Sequence, residues 1–411
     1  MKASGYVMEN EILKQFKIRV QNELQDNIIP FWVKRTIDPD GGFIGRMTND
    51  GKVVEKAPKG LILNTRILWT FSALYGFQKK LEFQNLAKRA YDYIIEHFWD
   101  NKFGGVFWML DWQGNPLEDK KQTYGQAFAI YALAEYYRAF KQKEAIQRAM
   151  SLFDFTEKYA RDTANGGYFE TLTRDLKVAE NQRLSEVDMA EKKSNNTHLH
   201  MFEAFTTLYE VSKDKLVGQR LEQLLNIFTD RIIKHNGKTY CQLFFDEFWH
   251  SKSDHISFGH DIEASWLLDK AVQAFNKPKL QEKIRRDCLA LAESVYQSGL
   301  DNNKSLFYEA DSKGIIDSSK DFWVQVEAVV GFINAYQLTG DEKYLATALN
   351  IWKFIEDHFI DRINGEWFYK VDSKGNVDTN CFKVSEWKCP YHNSRACLEI
   401  IHRLEKIQKK S

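Results

Sequence analysis

The sequence predicts an all-α protein folded as an (α/α)6 barrel, a closed ring of six helix–hairpin–helix repeats with short β-hairpins at one mouth. Proline occurs 6 times and glycine 22 times among 411 residues, which is below average usage and typical of long, uninterrupted helices. Short segments that combine a turn with aromatic residues recur every 62 to 71 residues. A period of this length indicates structural repeats.

The turn-plus-aromatic segments predict the hairpins. They begin at Gly41, Gly104, Gly166, Gly237, Asn303 and Gly365. The last two segments continue into near-identical stretches, Phe307–Gly314 and Phe368–Gly375, each typical of a strand that runs into a polar turn. These hairpins divide the chain into six equivalent units.

Amphipathic patterns predict a helix on each side of every hairpin. Around the second hairpin they cover Leu81–Trp99 and Tyr124–Phe140, with apolar residues at helical spacing. No proline- or serine-rich linker interrupts the series, and stacked repeats bury one continuous core. We therefore expect residues 1–411 to form one domain with a closed ring. An open helical solenoid is the alternative that composition leaves open.

Charge and composition narrow the classes of partner. Lys plus Arg and Asp plus Glu both number 57, so no basic surface is expected for nucleic acid. The longest apolar run, Ala127–Ala134, is too short to cross a membrane, and the N-terminus lacks a signal-peptide pattern. Five cysteines without a C-x-x-C pair predict buried, reduced thiols. We expect a cytoplasmic protein and, without a heptad seam, a monomer.

Unusual polar and aromatic residues follow the hairpins, where the next helix begins at the mouth of the ring. Core Leu or Ala would be expected there, but the chain carries Arg66, Tyr124, Asn196, His198, His200, His260, Glu263, Trp323, Trp387 and His392. Their recurrence at one level of different repeats predicts one convergent polar pocket. A lone histidine on an apolar helix is often structural, whereas three at equivalent positions indicate chemistry.

The spacing of the histidines predicts their orientation. His198 and His200 are two positions apart, so on a helix they point about 200° away from each other and only one can face the cavity. His260 and Glu263 are three positions apart and share a helix face. We therefore expect the Glu263 carboxylate to hold one ring nitrogen of His260 and leave the other free.

Paired histidines favour reversible proton transfer to and from carbon. Cleavage of a glycosidic bond needs two carboxylates that flank the bond, whereas the residues repeated at this mouth are imidazoles. Near neutral pH an imidazole can act as a base in one direction and an acid in the other. Proton removal beside an aldehyde leaves an enediolate, whose negative oxygen Arg66 can stabilise. The pattern predicts epimerisation or isomerisation of an open-chain sugar without a cofactor.

A zinc site is the competing interpretation of the same residues. The three pocket histidines with Glu263 or Asp188 have the right donor atoms for zinc. They come from separate helices without a short ligand pair, however, and an enediol route requires no Lewis acid. We therefore expect no metal.

Five longer motifs are distributed along the chain. They are I-I-P-F-W at Ile28–Trp32, G-L-I-L-N-T-R-I-L-W at Gly60–Trp69, N-T-H-L-H at Asn196–His200, G-H-D-I-E-A-S-W-L-L at Gly259–Leu268 and W-K-C-P-Y-H-N at Trp387–Asn393. These motifs resemble those of the cellobiose 2-epimerases within the wider N-acylglucosamine 2-epimerase family, and the similarity runs over nearly the whole chain. The resemblance implies the (α/α)6 barrel and a disaccharide substrate.

The resemblance also implies residue roles. It places proton transfer at C2 on His260 and His392, and ring opening or proton relay on His200. Arg66 is expected to hold the enediolate oxygens, and Trp323 and Trp387 match positions that stack on or cover the sugar rings. The remaining positions expected to bind substrate are Tyr124, Asp188, Asn196 and Glu263.

The implied reaction is reversible C2 epimerisation of the reducing-end sugar of a β-1,4-linked disaccharide, with cellobiose, lactose and mannobiose not distinguished. Two other enzymes would use the same pocket, an N-acylglucosamine 2-epimerase and an aldose–ketose isomerase acting on mannose. The isomerase differs only in returning the proton to C1 rather than C2. A non-catalytic ring that binds oligosaccharide would use Trp323 and Trp387 but give His260 and His392 no task.

Overall fold

A computed structural model describes residues 2–410 of the chain, which are mostly helical. The α-helices are α1 Lys2–Asn22, α2 Ile29–Arg35, α3 Leu61–Gln78, α4 Leu81–Tyr93, α5 Thr123–Phe140, α6 Lys143–Phe155, α7 Asn195–Ser212, α8 Lys215–Ile227, α9 Phe258–Val272, α10 Pro278–Ser298, α11 Phe322–Thr339, α12 Glu342–His358 and α13 Tyr391–Lys410. Single π-helical turns follow α1, α4, α6 and α8, at Glu23–Ile28, Ile94–Phe98, Thr156–Ala160 and Phe228–Ile232.

The β-strands are short and lie in the segments that connect the helices. They are β1 Met47–Thr48, β2 Lys59–Gly60, β3 Met109–Leu110, β4 Pro116–Glu118, β5 Lys121–Gln122, β6 Thr171–Leu172, β7 Lys193–Ser194, β8 Ile233–Asn236, β9 Lys238–Cys241, β10 Phe244–Phe245, β11 Ile256–Ser257, β12 Glu309–Ala310, β13 Ile315–Asp317, β14 Lys320–Asp321, β15 Lys370–Val371 and β16 Phe382–Val384.

The helices form two concentric layers. The inner ring consists of α3, α5, α7, α9, α11 and α13, in which each helix packs against the next and α13 returns to α3. The outer layer consists of α4, α6, α8, α10 and α12, each against its inner neighbour, and of α1, which packs against α13. The ring is therefore closed, and the prediction of an (α/α)6 barrel is confirmed.

The sequence patterns of the two layers differ as their positions require. The inner helix α3 is buried along almost its whole length, including polar Asn64, Thr65 and Arg66. The outer helix α4 is amphipathic and buries only one face, with Phe83 and Leu86 turned inward. A helix that is apolar all round must be buried, whereas an amphipathic helix covers a core with one face.

The six predicted hairpins form where the turn-plus-aromatic segments begin. Five close through single antiparallel bridges, such as Trp99 with Val106 and Ile360 with Trp367. The fourth is the regular hairpin of β8 and β9, in which Ile233 pairs with Cys241. Each hairpin lies between an outer helix and the inner helix that follows it.

The strands also link neighbouring repeats. The strand before each inner helix pairs with a strand of the next repeat, in the antiparallel pairs β2–β3, β5–β6, β7–β10, β11–β12 and β14–β15. The sixth pair joins β16 of the last repeat to β1 of the first. This circle of short ladders fixes the N-terminal ends of the inner helices around one mouth of the barrel.

An ion pair between a buried lysine and an aspartate ties the hairpin to the strand before the inner helix in five repeats. The pairs are Lys59–Asp38, Lys121–Asp100, Lys193–Asp162, Lys320–Asp301 and Lys383–Asp361, with N···O distances from 2.5 to 3.0 Å. The lysine side chains are at most 2% exposed. A charge so fully removed from water requires a partner, and the hairpin aspartate provides one.

Two expectations about the whole chain are tested by this architecture. No helix within residues 2–410 combines the length and apolar character needed to cross a bilayer. The five cysteines are free, but only four are buried, because Cys381 lies partly exposed in the turn before β16. The prediction of buried thiols is therefore wrong for Cys381. The assignment of residues 1–411 to one domain stays a prediction.

Candidate active site

A cavity of about 820 Å³ lies where the inner helices begin. Its walls contain all ten predicted site residues: Arg66, Tyr124, Asp188, Asn196, His200, His260, Glu263, Trp323, Trp387 and His392. They converge because each follows a strand of the ladder circle or, for Asp188, lies in the long loop between β6 and β7. Their individual roles stay predictions.

The three cavity histidines are each held at the Nδ1 atom. His392 Nδ1 lies 2.7 Å from Glu327 Oε1 on α11, and His200 Nδ1 lies 3.0 Å from Glu203 Oε2 on its own helix. His260 Nδ1 lies 2.8 Å from the hydroxyl of Ser257, which caps α9. Because Nδ1 is engaged, the Nε2 atom is the ring nitrogen left to exchange protons in the cavity.

The predicted partnership of His260 with Glu263 is wrong. Glu263 does lie on the same helix, but its Oε1 accepts a hydrogen bond of 2.5 Å from Arg395 Nη2 on α13. His260 instead lies in the first turn of α9, within reach of the Ser257 hydroxyl that also caps the backbone N–H of His260. Helical spacing permitted the pair, but a buried arginine outcompetes an imidazole for the carboxylate.

His198 and His200 separate as predicted. His200 lines the cavity, whereas His198 is fully buried against the preceding hairpin. His198 Nδ1 donates to Ser194 O at 2.7 Å, and its Nε2 accepts from the backbone N–H of Tyr168 at 3.0 Å. Gly167 leaves room for this ring, because a Cβ there would lie 2.6 Å from Nε2.

The environment of the cavity favours neutral imidazoles. Burial, together with the neighbouring His200, lowers the pKa of His260 to about 3. Burial and the positive charges of Arg66 and Arg395 lower the pKa of His392 well below its usual value. Both rings therefore have an unprotonated nitrogen near neutral pH, as a general base requires.

The three carboxylates behind the histidines have different proton affinities. Burial opposes ionisation of Glu203, but the charge of Arg395 and the hydrogen bond from His200 outweigh burial and lower the pKa of Glu203 to about 2. Burial and the nearby Glu327 raise the pKa of Glu263 to about 7. Burial also raises the pKa of Glu327. The cluster thus contains one firmly ionised carboxylate, Glu203, and two carboxylates, Glu263 and Glu327, that bind a proton more readily than usual.

Arg66 places a positive charge in the cavity wall without an ionic partner. Its guanidinium lies between the rings of Phe128 and Tyr391, 4.4 and 4.8 Å from their centroids. Nη2 donates to the hydroxyl of Tyr124 at 3.0 Å. No carboxylate in the described part of the chain lies within ion-pair distance, and the buried Nε has no partner. This cation is available for a negative oxygen of a ligand.

Aromatic side chains form the walls around the histidines. The Trp323 ring lies 5.1 Å from that of His260 and 5.6 Å from that of His392. The Trp387 ring lies 5.9 Å from that of Trp108. Flat apolar faces beside polar groups suit the C–H faces and hydroxyls of a sugar.

Several residues of this site escaped the sequence prediction. They are Glu203, Ser257, Glu327, Tyr391 and Arg395, which hold the histidines or each other. The spacing of Glu203 and Arg395, each three positions after a cavity histidine, was a usable signal. The contacts of Glu327 and Tyr391 join different helices, which no spacing within one helix can indicate.

One group of buried ligands has the geometry of a cation site. Donor atoms of Glu263, Glu327 and His392 lie within 4.8 Å of one another. Arg395 Nη2, however, donates to both carboxylates, at 2.5 and 2.7 Å. The guanidinium thus supplies the positive charge that these carboxylates require.

Comparison with known proteins adds independent evidence. Residues 42–396 match the family model described as N-acylglucosamine 2-epimerase. The chain is 41% identical to the cellobiose 2-epimerase of Bacteroides fragilis, over 95% of this chain and 99% of the relative. It is 24% identical to the D-mannose isomerase of Marinomonas mediterranea, over 92% and 95% of the two chains.

A solved structure agrees with this relationship. The cellobiose 2-epimerase from Bacillus thermoamylovorans B4167 aligns with a TM-score of 0.91 and 38% identity, over 95% of this chain and all of that one. The barrel, the cavity and the length of the match point to the same group of proteins. This chain belongs to the N-acylglucosamine 2-epimerase family of carbohydrate epimerases.

Proposed function

We propose that this enzyme reversibly epimerises C2 of the reducing-end sugar of β-1,4-linked disaccharides, converting cellobiose to glucosyl-mannose and lactose to epilactose. The observation that carries the proposal is a cavity lined by three histidines, each held at Nδ1, and by Arg66, which has no ionic partner among the described residues. The higher identity to a cellobiose 2-epimerase, 41% against 24% for a mannose isomerase, supports the disaccharide branch.

The first step is ring opening, because only the open-chain aldehyde has an acidic proton at C2. The C1–O5 bond breaks as the C1 hydroxyl loses its proton and O5 gains one. We assign this transfer to His200, whose Nδ1 is fixed by Glu203 and whose ring lies 5.1 Å from that of Tyr124. A fixed imidazole can accept one proton and deliver the other through Nε2.

Epimerisation then requires two bases. One of His260 and His392 removes the C2 proton, the C–H electron pair forms the C1–C2 double bond, and the π pair of the C1 carbonyl moves onto O1 to give an enediolate. After rotation about C2–C3, the partner histidine takes a proton from solvent on Nε2 and delivers it to C2 on the opposite face. The O1 electron pair then re-forms the C1 carbonyl, and the first histidine releases its proton to solvent. The Trp323 ring, which contacts both histidines, is placed to hold the sugar between them.

Arg66 is assigned to the negative oxygen of the enediolate. Its charge is permanent, and its wall of Phe128 and Tyr391 excludes water on two sides. A preorganised donor in a site of low dielectric stabilises developing charge more strongly than water does. Tyr124, which already accepts a hydrogen bond from Arg66, fixes the position of the guanidinium.

The dimensions of the cavity support a disaccharide rather than a single sugar. Its volume of about 820 Å³ lies toward the upper end of the usual range for ligand sites, about 300–1,000 Å³. Asp188, Asn196 and Trp387 line the same cavity as the histidines. We propose that they bind the second sugar ring and the hydroxyls near C2.

Product analysis tests the substrate class. Purified protein is incubated separately with cellobiose, mannose and N-acetylglucosamine, and the products are separated and identified by NMR. We expect glucosyl-mannose from cellobiose and little conversion of either monosaccharide. A ketose product would favour the aldose–ketose isomerase, and conversion of N-acetylglucosamine alone would favour the N-acylglucosamine epimerase. Sugar binding without any product would favour a non-catalytic protein.

Further properties of the proposed enzyme can be checked with the same preparation. We propose that it needs no metal, so the rate should be unchanged after exhaustive chelation; a loss restored by zinc would contradict this. We also propose a cytoplasmic monomer that binds neither nucleic acid nor membrane. The five free cysteines support the cytoplasmic location, because disulfides are rare in the cytosol. Sedimentation velocity tests the monomer, and fractionation of the source cells tests the location.

A further inference from the structure

Arg395 lies beneath the cavity and joins three inner helices to α13. Its side chain is 1% exposed and does not line the cavity. Nη1 donates to Glu203 Oε1 and to the Tyr391 hydroxyl, while Nη2 donates to Glu263 Oε1 at 2.5 Å and Glu327 Oε1 at 2.7 Å. One guanidinium thus contacts carboxylates from α7, α9 and α11.

Two of these carboxylates hold cavity histidines. We call His200–Glu203 and His392–Glu327 the two histidine–glutamate pairs, with N···O distances of 3.0 and 2.7 Å. In His392–Glu327, the oxygen that meets the imidazole, Glu327 Oε1, also accepts from Arg395 Nη2. In His200–Glu203, the imidazole meets Glu203 Oε2, and Arg395 Nη1 donates to the other oxygen, Glu203 Oε1. Arg395 therefore positions both imidazoles indirectly, through the glutamates that hold them.

Arg395 also contributes to the charge around His392. The titratable and charged groups that face His392 are Arg66 on α3, His200 on α7, His260 and Glu263 on α9, Glu327 on α11, and Arg395 on α13. Without the guanidinium, Glu263 and Glu327 would face each other as like charges. Each would then bind protons more readily, and the pair formed by His392 and Glu327 would do the same.

We propose that Arg395 is a positioning residue that joins the two histidine–glutamate pairs and sets the proton affinity of His392. It keeps Glu327 ionised as an acceptor for Nδ1–H, so that Nε2 presents a lone pair to the substrate. The inference rests on the proposed function, because it takes His392 as one of the two proton-transfer groups.

Three variants test the role of Arg395. Arg395→Gln removes the charge, and Arg395→Lys keeps the charge but loses the planar fork. The matched control is Arg403→Gln, a buried arginine of the same helix that bonds Asn334 and Gln337 at 2.7 Å and holds no histidine. For each variant, kcat and KM for cellobiose are measured across the pH range, beside a thermal melt.

We expect Arg395→Gln to lower kcat about 100-fold with KM changed less than about threefold, within the range for misplaced acid–base groups. The acid limb of the kcat profile should move up by about one pH unit, because the lost cation had opposed protonation. Arg395→Lys should keep the wild-type acid limb at an intermediate kcat, and Arg403→Gln should change neither. An unchanged kcat and acid limb in Arg395→Gln, or equal changes in Arg403→Gln, would overturn the role.

A measurement that needs no turnover separates this inference from the proposed function. Ring ¹⁵N NMR of the histidines gives the tautomer and titration of His392, assigned by its loss in His392→Asn. If wild-type protein leaves cellobiose unchanged, the proposed function fails. The tautomer and titration of His392 in wild type and Arg395→Gln still show whether Arg395 controls that histidine. Should Arg395→Gln not fold, Arg395→Lys decides: a wild-type His392 tautomer together with full kcat would overturn the proposal.

Discussion

At the scale of single residues, the cavity histidines differ in the group that holds Nδ1. Carboxylates hold His200 and His392, whereas a hydroxyl holds His260. A carboxylate stabilises an imidazolium that forms during turnover, and a hydroxyl does so only weakly. The two proposed C2 bases are therefore not equivalent, which suits a reaction whose two directions start from different sugars.

Replacement of either proposed C2 base should separate exchange from epimerisation. His260→Asn and His392→Asn should each lower kcat for epimerisation by about 10³-fold, within the range for general acid–base groups, with KM changed little. In deuterated buffer each variant should still exchange the C2 hydrogen of one epimer, because one base remains on that face. NMR of the C2 signal of cellobiose and of glucosyl-mannose, each incubated alone, measures this.

The matched control is His198→Asn, which changes a buried imidazole outside the cavity. It should change the stability of the fold but have little effect on exchange of the C2 hydrogen in either epimer. If both base variants lost exchange from both epimers, or if His198→Asn reproduced their selectivity, one histidine on each face would be the wrong assignment.

Arg66 gives a second test at this scale. Arg66→Lys keeps the charge but withdraws the donors held between Phe128 and Tyr391. We expect kcat to fall by about 10²- to 10³-fold, as for loss of one preorganised oxyanion donor. KM should change less than kcat, because the negative oxygen exists only after proton removal. Steady-state kinetics check this, and a change in KM alone would argue for a ground-state binding role.

The sequence located the cavity residues but not their partners. Repetition at one level of the repeats was sufficient to bring His200, His260 and His392 together. The partner of His260 was predicted as Glu263 because spacing along one helix cannot report the side chains of facing helices. Arg395, which takes Glu263, comes from α13, 132 residues away.

At the scale of elements, the strands before the inner helices position the site. Each ladder joins two repeats, so the first turn of every inner helix is fixed from both sides. The lysine–aspartate pairs anchor the same strands to the hairpins in five repeats. These contacts explain how polar side chains on six helices can be held in one arrangement.

Loss of one lysine–aspartate pair should destabilise the barrel. In Lys193→Met, Asp162 would remain buried without the cation 2.8 Å away, and the Gly166 and Glu247 carbonyls would lose a donor. Removing one partner of a buried pair costs about 3–5 kcal/mol. Thermal melts should show a clear drop for Lys193→Met and no change for Lys177→Met, whose partner Asp175 is exposed. Equal melting temperatures would show that the buried pair contributes nothing.

The hairpins and helices were predictable from periodicity, but the ladders were not. Strands of two residues, such as Lys59–Gly60, are too short to give an alternating pattern. Their pairing partners also lie in the next repeat, about fifty residues along the chain for β2 and β3. The π-helical turns that follow four outer-layer helices likewise left no signal in the apolar spacing.

At the scale of the whole molecule, closure depends on contacts between the ends of the chain. The first helix packs on the last, and β1 pairs with β16. Trp32 and Trp367 extend this seam, donating to Glu366 and Glu23 respectively. The prediction of a ring rather than an open solenoid followed from the number of repeats and the absence of a linker, and these contacts explain it physically.

Buried carboxyl groups should make stability depend on pH. Burial raises the pKa of Glu170 to about 8 and those of Asp261 and Asp321 to about 7. The folded state therefore binds more protons than the unfolded state, and this stability is lost as pH rises through the folded values. Burial lowers the pKa of His198 and His260 to about 3, which acts oppositely but only below about pH 6.5.

We therefore expect the melting temperature to fall between about pH 6.5 and pH 8.5. Glu170→Gln should make this decline less steep, because an amide cannot ionise, while its oxygen can still accept from the Ser194 N–H. Melts of both proteins across this range provide the check. A wild-type melting temperature that rose toward pH 8.5, or an unchanged slope in Glu170→Gln, would contradict this view of the buried carboxyls.

The central claim is that two histidines exchange the C2 proton of a disaccharide with solvent. The most direct test is to incubate the protein with cellobiose in deuterated buffer and follow C2 of both sugars by NMR. We predict glucosyl-mannose that carries deuterium at C2 from its first appearance. Glucosyl-mannose that retained the original hydrogen, or cellobiose that neither exchanged nor reacted, would contradict the account.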